Sequence, residues 1–160
     1  MIKTDRVEYR CVNGHLRFSD GFGEAPTICT ICGSQDLRKV EQMKHIGIIG
    51  TRRRDTAQAY SMIREKFFEL YEDGDWIVSG GCPKGGDRFA EKIAKEFGIP
   101  IIIFYPNWKK HGNAAGIIRN GDIAKKSDII IACVSGDRTG GTEDTLKKFQ
   151  KLGKSEIHTV

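Results

Sequence analysis

Four continuous apolar runs, separated by segments with helical periodicity, constrain the fold of this chain more than any other feature. The runs lie at residues 45–49, 76–78, 101–105 and 128–134. The intervening segments carry apolar residues three and four positions apart, a spacing typical of amphipathic helices. Strands that are apolar on both faces pair in parallel, with helices covering each side of the sheet. The pattern therefore predicts an α/β fold, a Rossmann-like doubly wound parallel sheet of about five strands, with residues 157–160 as the terminal strand.

The predicted helices begin and end at recognisable signals. Asp55 precedes the first periodic segment and is predicted to be the N-cap of that helix. The second helix is predicted to end at Gly98, with Pro100 just beyond as a barrier to continuation. Two further helices are predicted at about 114–125 and 142–152. Helices between the strands are what crossover connections in a parallel sheet require.

The first forty residues have a different character. They show no sustained helical periodicity, and turn signals such as Asn13-Gly14 and Asp20-Gly21 separate short runs. A chain of 160 residues can close one good core plus a small appended module, but hardly two full domains. The sequence therefore predicts a zinc-ribbon-like module at residues 1–40 and a ligand-binding domain at residues 41–160.

Three cysteines and one histidine of this module have the spacing of a metal site. The C-x2-C spacing followed by glycine is the stronger indication of a metal site. The C-x3-H spacing is a weaker indication, so the identity of the fourth ligand stays open. A site with four protein ligands would fold the module and leave no position for catalysis. The predicted cofactor is structural Zn²⁺, and thiols without a metal are the alternative. The candidate ligands are Cys11, His15, Cys29 and Cys32.

Charge and hydropathy narrow the choice of partner. The formal net charge of +5 favours an anionic partner, and nucleotides, nucleic acid and anionic surfaces all remain open. No apolar stretch approaches the roughly 20 residues that a bilayer-spanning helix needs. The first residues also lack the apolar core of a secretion signal. We expect a cytoplasmic protein with no membrane partner, in which the cysteines do not form a disulfide framework.

A glycine-rich loop joins the second predicted strand to the helix that follows it. Its sequence is Ser79-Gly80-Gly81-Cys82-Pro83-Lys84-Gly85-Gly86-Asp87. Such a junction presents backbone N–H groups to a phosphate or sugar, and glycine permits their close approach. The loop matches neither the Walker pattern nor G-x-G-x-x-G. A purely structural turn is the alternative, but four glycines around Lys84 favour ligand contact, and Asp87 is predicted to cap the helix or to contact the ligand.

Three more loops are expected at the same edge, because the carboxyl ends of parallel strands meet there. Arg52-Arg53-Arg54 follows the first strand, and at least one guanidinium should reach over the edge to a phosphate. Residues 135–142 place Thr142 at another helix start. Trp108 either stacks on a base or packs against the sheet edge, and Arg119 either points into the cleft or is solvated.

Four motifs together resemble a known family: G-T-R after the first strand, S-G-G-C-P-K-G-G-D, P-N-W-K-K-H-G-N-A-A-G-I-I-R-N, and a late G-G-T. They resemble the YspA/YpsA-related branch of the SLOG (DprA/LOG-like) superfamily over about residues 44–150, which leaves the zinc ribbon outside. The resemblance implies a Rossmann-like sheet that binds a nucleotide-derived ligand, with its phosphate in the glycine loops. Superfamily relatives often associate, so a homo-oligomer is an open alternative to a monomer.

The ligand-binding candidates combine this resemblance with the position of the loops. Ser79 and Lys84 enter through the glycine-rich loop alone. The residues that the resemblance marks are Gly50, Thr51, Arg52, Gly80, Gly81, Gly85, Asp87, Trp108, Arg119, Asn120, Gly141 and Thr142.

The chain departs from the phosphoribohydrolase branch of that superfamily at one position. That branch uses P-G-G-x-G-T-x-x-E, whose glutamate helps to cleave an N-glycosidic bond, and Thr145 stands at that place here. Glu143 or Asp144 would serve only if the helix were turned differently, by roughly 100° per residue. The catalytic candidates are therefore Asp87, Glu143 and Asp144, and whether the protein is an enzyme stays open.

Three functions follow from this reading. The favoured one is a sensor or ligand-binding module for a nucleotide or nucleotide-derived molecule, with the phosphate held by the glycine-rich loops and Arg52. The alternative is a phosphoribohydrolase-like enzyme that processes nucleotides. A second alternative is nucleic-acid binding through the basic surface and the ribbon, although the ribbon offers few aromatic residues for stacking.

Overall fold

The computed structural model describes residues 8–11, 16–18, 26–35, 37–39 and 43–160. The predicted ligand His15 and the turn signals at residues 13–14 and 20–21 lie outside the described residues. The chain divides into two compact units, Met1–Met43 and Lys44–Val160.

The first unit contains a small antiparallel sheet of three short strands. Strand β1 is Glu8–Cys11, β2 is Leu16–Phe18 and β3 is Leu37–Lys39. Their order is β2-β1-β3, so that β1 pairs with both of the others. A sheet this small buries too little apolar surface to be stable alone, and a small module of this kind ordinarily needs an additional constraint.

The second unit is built on a five-stranded, all-parallel sheet, which confirms the predicted fold class. The strands are β4 (His45–Gly50), β5 (Trp76–Ser79), β6 (Ile101–Ile103), β7 (Ile129–Cys133) and β8 (Ile157–Thr159). Their order is β6-β5-β4-β7-β8, and every neighbouring pair is parallel. Strand β7 is buried along its whole length, as the continuous apolar run predicted.

Helices cover both faces of this sheet. The first two helices share one apolar cluster, in which Ile63 and Phe67 meet Phe89 and Ile93. The fourth and fifth helices form the other cluster, around Ile123 and Phe149. The helices are α1 (Ala57–Leu70), α2 (Gly86–Phe97), the short α3 (Trp108–His111), α4 (Ala115–Lys126) and α5 (Gly141–Lys151).

The helix ends follow the predictions with one exception. Gly98 adopts the left-handed conformation after α2, and its N–H donates to the carbonyl of Ala94, as the glycine signal indicated. The N-cap of α1 is Thr56, whose hydroxyl accepts a hydrogen bond from the N–H of Ala59 at 3.1 Å. The prediction that Asp55 caps this helix is wrong, because the Asp55 carboxylate turns to the glycine-rich loop instead.

The strand order fixes where a ligand can enter. From β4 the chain runs to β5 and β6 on one side, then crosses to β7 and β8 on the other. At the reversal, the connections after β4 and β7 diverge to opposite faces and leave a crevice at the carboxyl edge. In the described ranges no helix is both long and apolar enough to cross a membrane.

Candidate ligand-binding cleft and metal-binding cluster

A cleft of about 310 Å³ opens at the carboxyl edge of the sheet of the second unit. It lies at the reversal point, where the N–H of Thr51 donates to the carbonyl of Cys133 at 2.9 Å and joins the ends of β4 and β7. Its volume is within the range of small-molecule sites. Eight of the predicted ligand-binding residues line it: Gly50, Thr51, Arg52, Asp87, Arg119, Asn120, Gly141 and Thr142.

The three consecutive arginines have three different environments. Arg52 lines the cleft, is exposed, and receives neither an acidic partner nor a hydrogen-bond acceptor from the described part of the chain. Arg53 forms a bidentate ion pair with Asp137, at 2.9 and 2.8 Å. Arg54 donates to the carbonyls of Val134 and Val160. Only Arg52 therefore keeps its full hydrogen-bonding capacity for a ligand.

The pair between Arg53 and Asp137 shapes the loop that precedes α5. The Arg53 guanidinium, together with the Ser135 hydroxyl, holds the pKa of Asp137 well below its usual range. Arg53 also donates to the hydroxyl of Thr139 at 3.3 Å. The turn after β4 and the loop after β7 are thus fastened to each other beside the cleft.

Helix α5 begins at the wall of the cleft without a side-chain cap. Its N-cap, Gly140, has φ +91°, a conformation that L side chains rarely adopt, and it makes no capping hydrogen bond. Gly140, Gly141 and Thr142 all line the cleft. The first N–H groups of a helix have no intrahelical partner and carry partial positive charge. The cleft therefore has a wall that favours an anion.

The glycine-rich loop is packed against its own chain. A Cβ atom on Gly86 would lie 2.2 Å from the carbonyl carbon of Ile49, and one on Gly85 would lie 2.4 Å from the carbonyl oxygen of Thr51. The N–H of Gly85 donates to Asp55 at 3.0 Å. Together with Arg88, this N–H lowers the pKa of Asp55. Close packing of Gly86 against β4 and of Gly85 against the turn that follows it accounts for these two glycines.

Five of the predicted ligand-binding residues of this loop lie outside the cleft lining. Ser79 is buried, and its hydroxyl donates to the carbonyl of Asp87 at 3.4 Å. Lys84 is exposed. Gly80, Gly81 and Gly85 are also absent from the lining, to which the loop contributes Cys82 and Asp87.

Asp87 forms a buried ion pair with Arg119 on one side of the cleft. Their side chains are 8% and 15% exposed, and Nη1 of Arg119 lies 3.1 Å from Oδ2 of Asp87. Burial raises the pKa of Asp87, while the charge of Arg119 opposes that rise. The N–H of Cys82 also donates to Oδ2, at 3.1 Å. Asp87 thus neither caps α2 nor lies at the surface as a solvated carboxylate.

The other two catalytic candidates are engaged outside the cleft lining. Glu143 pairs with Arg138, whose Nε lies 2.6 Å from Oε1 of Glu143. Asp144 pairs with Lys148 at 2.6 Å and accepts a hydrogen bond from Asn120. Thr145, at the position of the glutamate in the phosphoribohydrolase motif, does line the cleft. Among the three candidates, only Asp87 lines the cleft.

Trp108 stands apart from the cleft. It is 56% exposed at the start of α3 and is absent from the cleft lining. Its indole ring lies beside Gly116 on α4. The exposed ring is not buried at the sheet edge, and stacking on a base stays a prediction.

Sequence reasoning missed several residues of the lining. Thr139 and Gly140 belong to the loop at 135–142 whose importance was predicted, so the signal for them was present. The apolar floor had no separate signal, because Ile49 and Ile123 read as ordinary core positions. The missed residues are Ile49, Arg53, Cys82, Ile123, Thr139, Gly140 and Thr145.

In the first unit, three of the four predicted metal ligands come together. The sulfur atoms of Cys11, Cys29 and Cys32 all lie within 4.8 Å of one another, and those of Cys11 and Cys32 are 3.6 Å apart. Sulfur atoms at about 2.3 Å from a tetrahedral metal would be separated by about 3.8 Å. The donor set and its spacing therefore fit a metal ion.

The backbone around Cys29 favours its thiolate form. Burial raises the pKa of the Cys29 thiol, but the N–H groups of Cys32 and Ile31 outweigh this effect and lower the pKa overall. The N–H of Gly33 donates to the carbonyl of Cys29 at 2.7 Å and closes the turn. Since the thiolate is the form that ligates metals, this turn favours metal binding.

Comparison of the chain with protein-family models, with curated proteins and with solved structures returned no match.

Proposed function

We propose that the second unit binds a phosphorylated, nucleotide-derived small molecule in the cleft at the carboxyl edge of its sheet. The observation that carries this proposal is Arg52, an arginine that lines the cleft and has no acidic partner among the described residues. A guanidinium binds phosphate oxygens through two parallel hydrogen bonds. The phosphate is placed between Arg52 and the uncapped start of α5, where backbone N–H groups add further donors.

The resemblance to the SLOG superfamily is part of the same proposal. Its motifs are far apart in the sequence, yet Arg52, Asp87, Asn120 and Thr142 line one cleft. Nucleotide binding requires this combination of a cationic group, backbone donors and polar side chains around a partly apolar floor. We infer that the unit acts as a sensor or ligand-binding module.

Replacing Arg52 with alanine is expected to weaken binding by about 10- to 100-fold, because a hydrogen bond to a charged group contributes about 1.5–3 kcal/mol. The measurement is a thermal-shift screen against mono-, di- and cyclic nucleotides and ADP-ribose derivatives, followed by calorimetry on each hit. Arg52 is exposed, so the variant should fold normally.

The matched control is Lys84→Ala, which removes the same charge from an exposed side chain outside the cleft lining. It should retain the wild-type affinity within about twofold, since surface charges contribute little. Binding that is unchanged in Arg52→Ala, or a screen without any hit, would show that the cleft is not a phosphate site.

In the first unit we propose a structural Zn²⁺ held by Cys11, Cys29 and Cys32, with a fourth ligand from elsewhere in the protein. Thiolates at tetrahedral spacing favour zinc over hard cations such as Mg²⁺ or Ca²⁺. When bound, the ion would supply the constraint that the small sheet needs. His15 remains the candidate for the fourth position.

A second candidate function for the cleft is hydrolysis of an N-glycosidic bond. The observation that favours it is Asp87, a buried carboxylic acid in the cleft whose pKa is raised by burial, as a general acid requires. The test is release of free base from nucleoside monophosphates, followed by chromatography. Turnover that disappears in Asp87→Asn and persists in Glu143→Gln would support an enzyme, and binding without turnover would support the module.

A further inference from the structure

One wall of the cleft offers hydrogen-bond acceptors beside the guanidinium of Arg119. Two residues supply them: Asp87 on α2 and Asn120 on α4, each 6% exposed and each part of the cleft lining. Each has one side-chain oxygen to which no donor is directed by the described part of the chain. Neither oxygen is a fully buried atom without a partner, so each can accept a hydrogen bond from a molecule in the cleft.

The free oxygen of Asp87 follows from the geometry of its ion pair. Both donors that reach this carboxylate, Nη1 of Arg119 and the N–H of Cys82, go to Oδ2 at 3.1 Å. Nη1 of Arg119 also donates to the carbonyl of Gly80, which fixes the guanidinium behind the carboxylate. Oδ1 of Asp87 is therefore held in place with its capacity unused.

The free side-chain oxygen of Asn120 is identified by the two acceptors that its NH₂ group contacts. Its Nδ2 donates to the carbonyl of Gly141 at 3.2 Å and to Oδ2 of Asp144 at 2.9 Å. Only the NH₂ end of an amide can face two acceptors, so the orientation of the side chain is determined. Oδ1 of Asn120 must point the other way, and it has no donor among the described residues.

A ligand that suits this cleft therefore combines an anionic group for Arg52 with hydrogen-bond donors for Asp87 and Asn120. An amine would bring positive charge beside Arg119 and Arg52, whereas a hydroxyl donates without charge. Two neighbouring hydroxyls can donate one hydrogen bond each to Asp87 and Asn120. A ribose 5-phosphate unit carries both a phosphate and such a pair of hydroxyls.

We propose that Asp87 and Asn120 recognise the free hydroxyls of a ribose 5-phosphate unit, and that the cleft thereby selects ribose over 2-deoxyribose. This inference rests on the proposed function and extends it to the sugar. The loss of one hydroxyl removes a hydrogen bond to one of these two acceptors, and sites built to bind a hydroxyl reject the analogue that lacks it. The expected discrimination is at least about tenfold.

The experiment compares two pairs of probes by calorimetry on the full chain: ribose 5-phosphate with 2-deoxyribose 5-phosphate, and AMP with 2′-deoxy-AMP. The wild-type protein should bind the ribose member of a pair at least about tenfold more tightly. Asp87→Asn and Asn120→Ala should each bring this ratio towards one. Two variants are used because Asp87→Asn also disturbs the ion pair with Arg119, and circular dichroism checks that each is folded.

The matched control is Glu143→Gln, which neutralises an acid on α5 outside the cleft lining and should keep the wild-type ratio. Equal affinity for ribose and deoxyribose probes, with binding still sensitive to Arg52→Ala, would overturn this inference alone. A ratio unchanged in both folded variants would also overturn it. Failure of all four probes to bind would overturn this inference, and the proposed function falls with it only when the wider nucleotide screen also gives no hit.

Discussion

Cys29→Ser is expected to abolish metal binding and to unfold the three-stranded sheet of the first unit. The thiol of Cys29 is fully buried against those of Cys11 and Cys32, and a serine hydroxyl is a poor replacement for a thiolate. Structural zinc contributes about 10–16 kcal/mol to the folding of small zinc domains, which exceeds what three short strands could supply. The measurements are metal content by mass spectrometry and the amide spectrum of β1–β3.

Cys82→Ser is the control for this experiment, because Cys82 lines the cleft and is not part of the cysteine cluster. It should keep about one metal ion per chain, as a single tetrahedral site predicts. Chelation of the wild-type protein should have the same effect as Cys29→Ser. An intact sheet in the metal-free protein, or full metal content in Cys29→Ser, would contradict the zinc proposal.

Gly86→Ala is expected to destabilise the second unit by at least about 3 kcal/mol, near the upper end of overpacking effects. The added Cβ would lie 2.2 Å from the carbonyl carbon of Ile49 and 2.3 Å from the nitrogen of Gly50. Backbone atoms of a central strand cannot move aside as a flexible side chain could, so α2 must shift away from β4. The melting temperature should fall by about 10 °C.

Gly136→Ala tests whether this effect is specific to the packed glycine. No atom lies within 4 Å of a Cβ at Gly136, and its φ is not positive. Its stability should stay within about 0.5 kcal/mol of wild type in chemical denaturation. Equal melting of the two variants would show that the contact between α2 and β4 is looser than described.

The architecture of the second unit could be predicted because it depends on local patterns. The apolar run of β7 has no polar position to face solvent, so it could only be a strand buried on both faces. Gly98 ended α2 for the same local reason, since glycine adopts the left-handed conformation without strain. The location of the loops at one edge then followed from parallel pairing.

The roles of individual side chains were harder to predict, because their partners are distant in the sequence. Arg53 pairs with Asp137 across 84 positions, and Arg119 pairs with Asp87 across 32. Nothing in Arg52-Arg53-Arg54 distinguishes the arginine that faces the cleft from its two neighbours. For the same reason Asp55 looked like a helix cap, whereas Gly85 and Arg88 hold its carboxylate.

The glycine-rich loop shows a further limit of sequence reading. Its glycines suggested contact with a ligand, yet at Gly85 and Gly86 the missing side chain makes room for β4 and the turn that follows it. Glycine spacing reports that something comes close to the backbone, but not whether that is a ligand or the protein itself. The contribution of this loop to the cleft is instead the placement of Asp87.

Two of the three consecutive arginines hold parts of the fold together, and the third lines the cleft without a partner in the described chain. Arg53 joins the loops to one another and Arg54 binds Val160 just after the last strand, whereas Arg52 supports no other part of the described chain. Position 52 can therefore be exchanged during evolution or engineering without weakening the frame around it. If the proposed function holds, a substitution at this single position changes which charged ligands the cleft accepts.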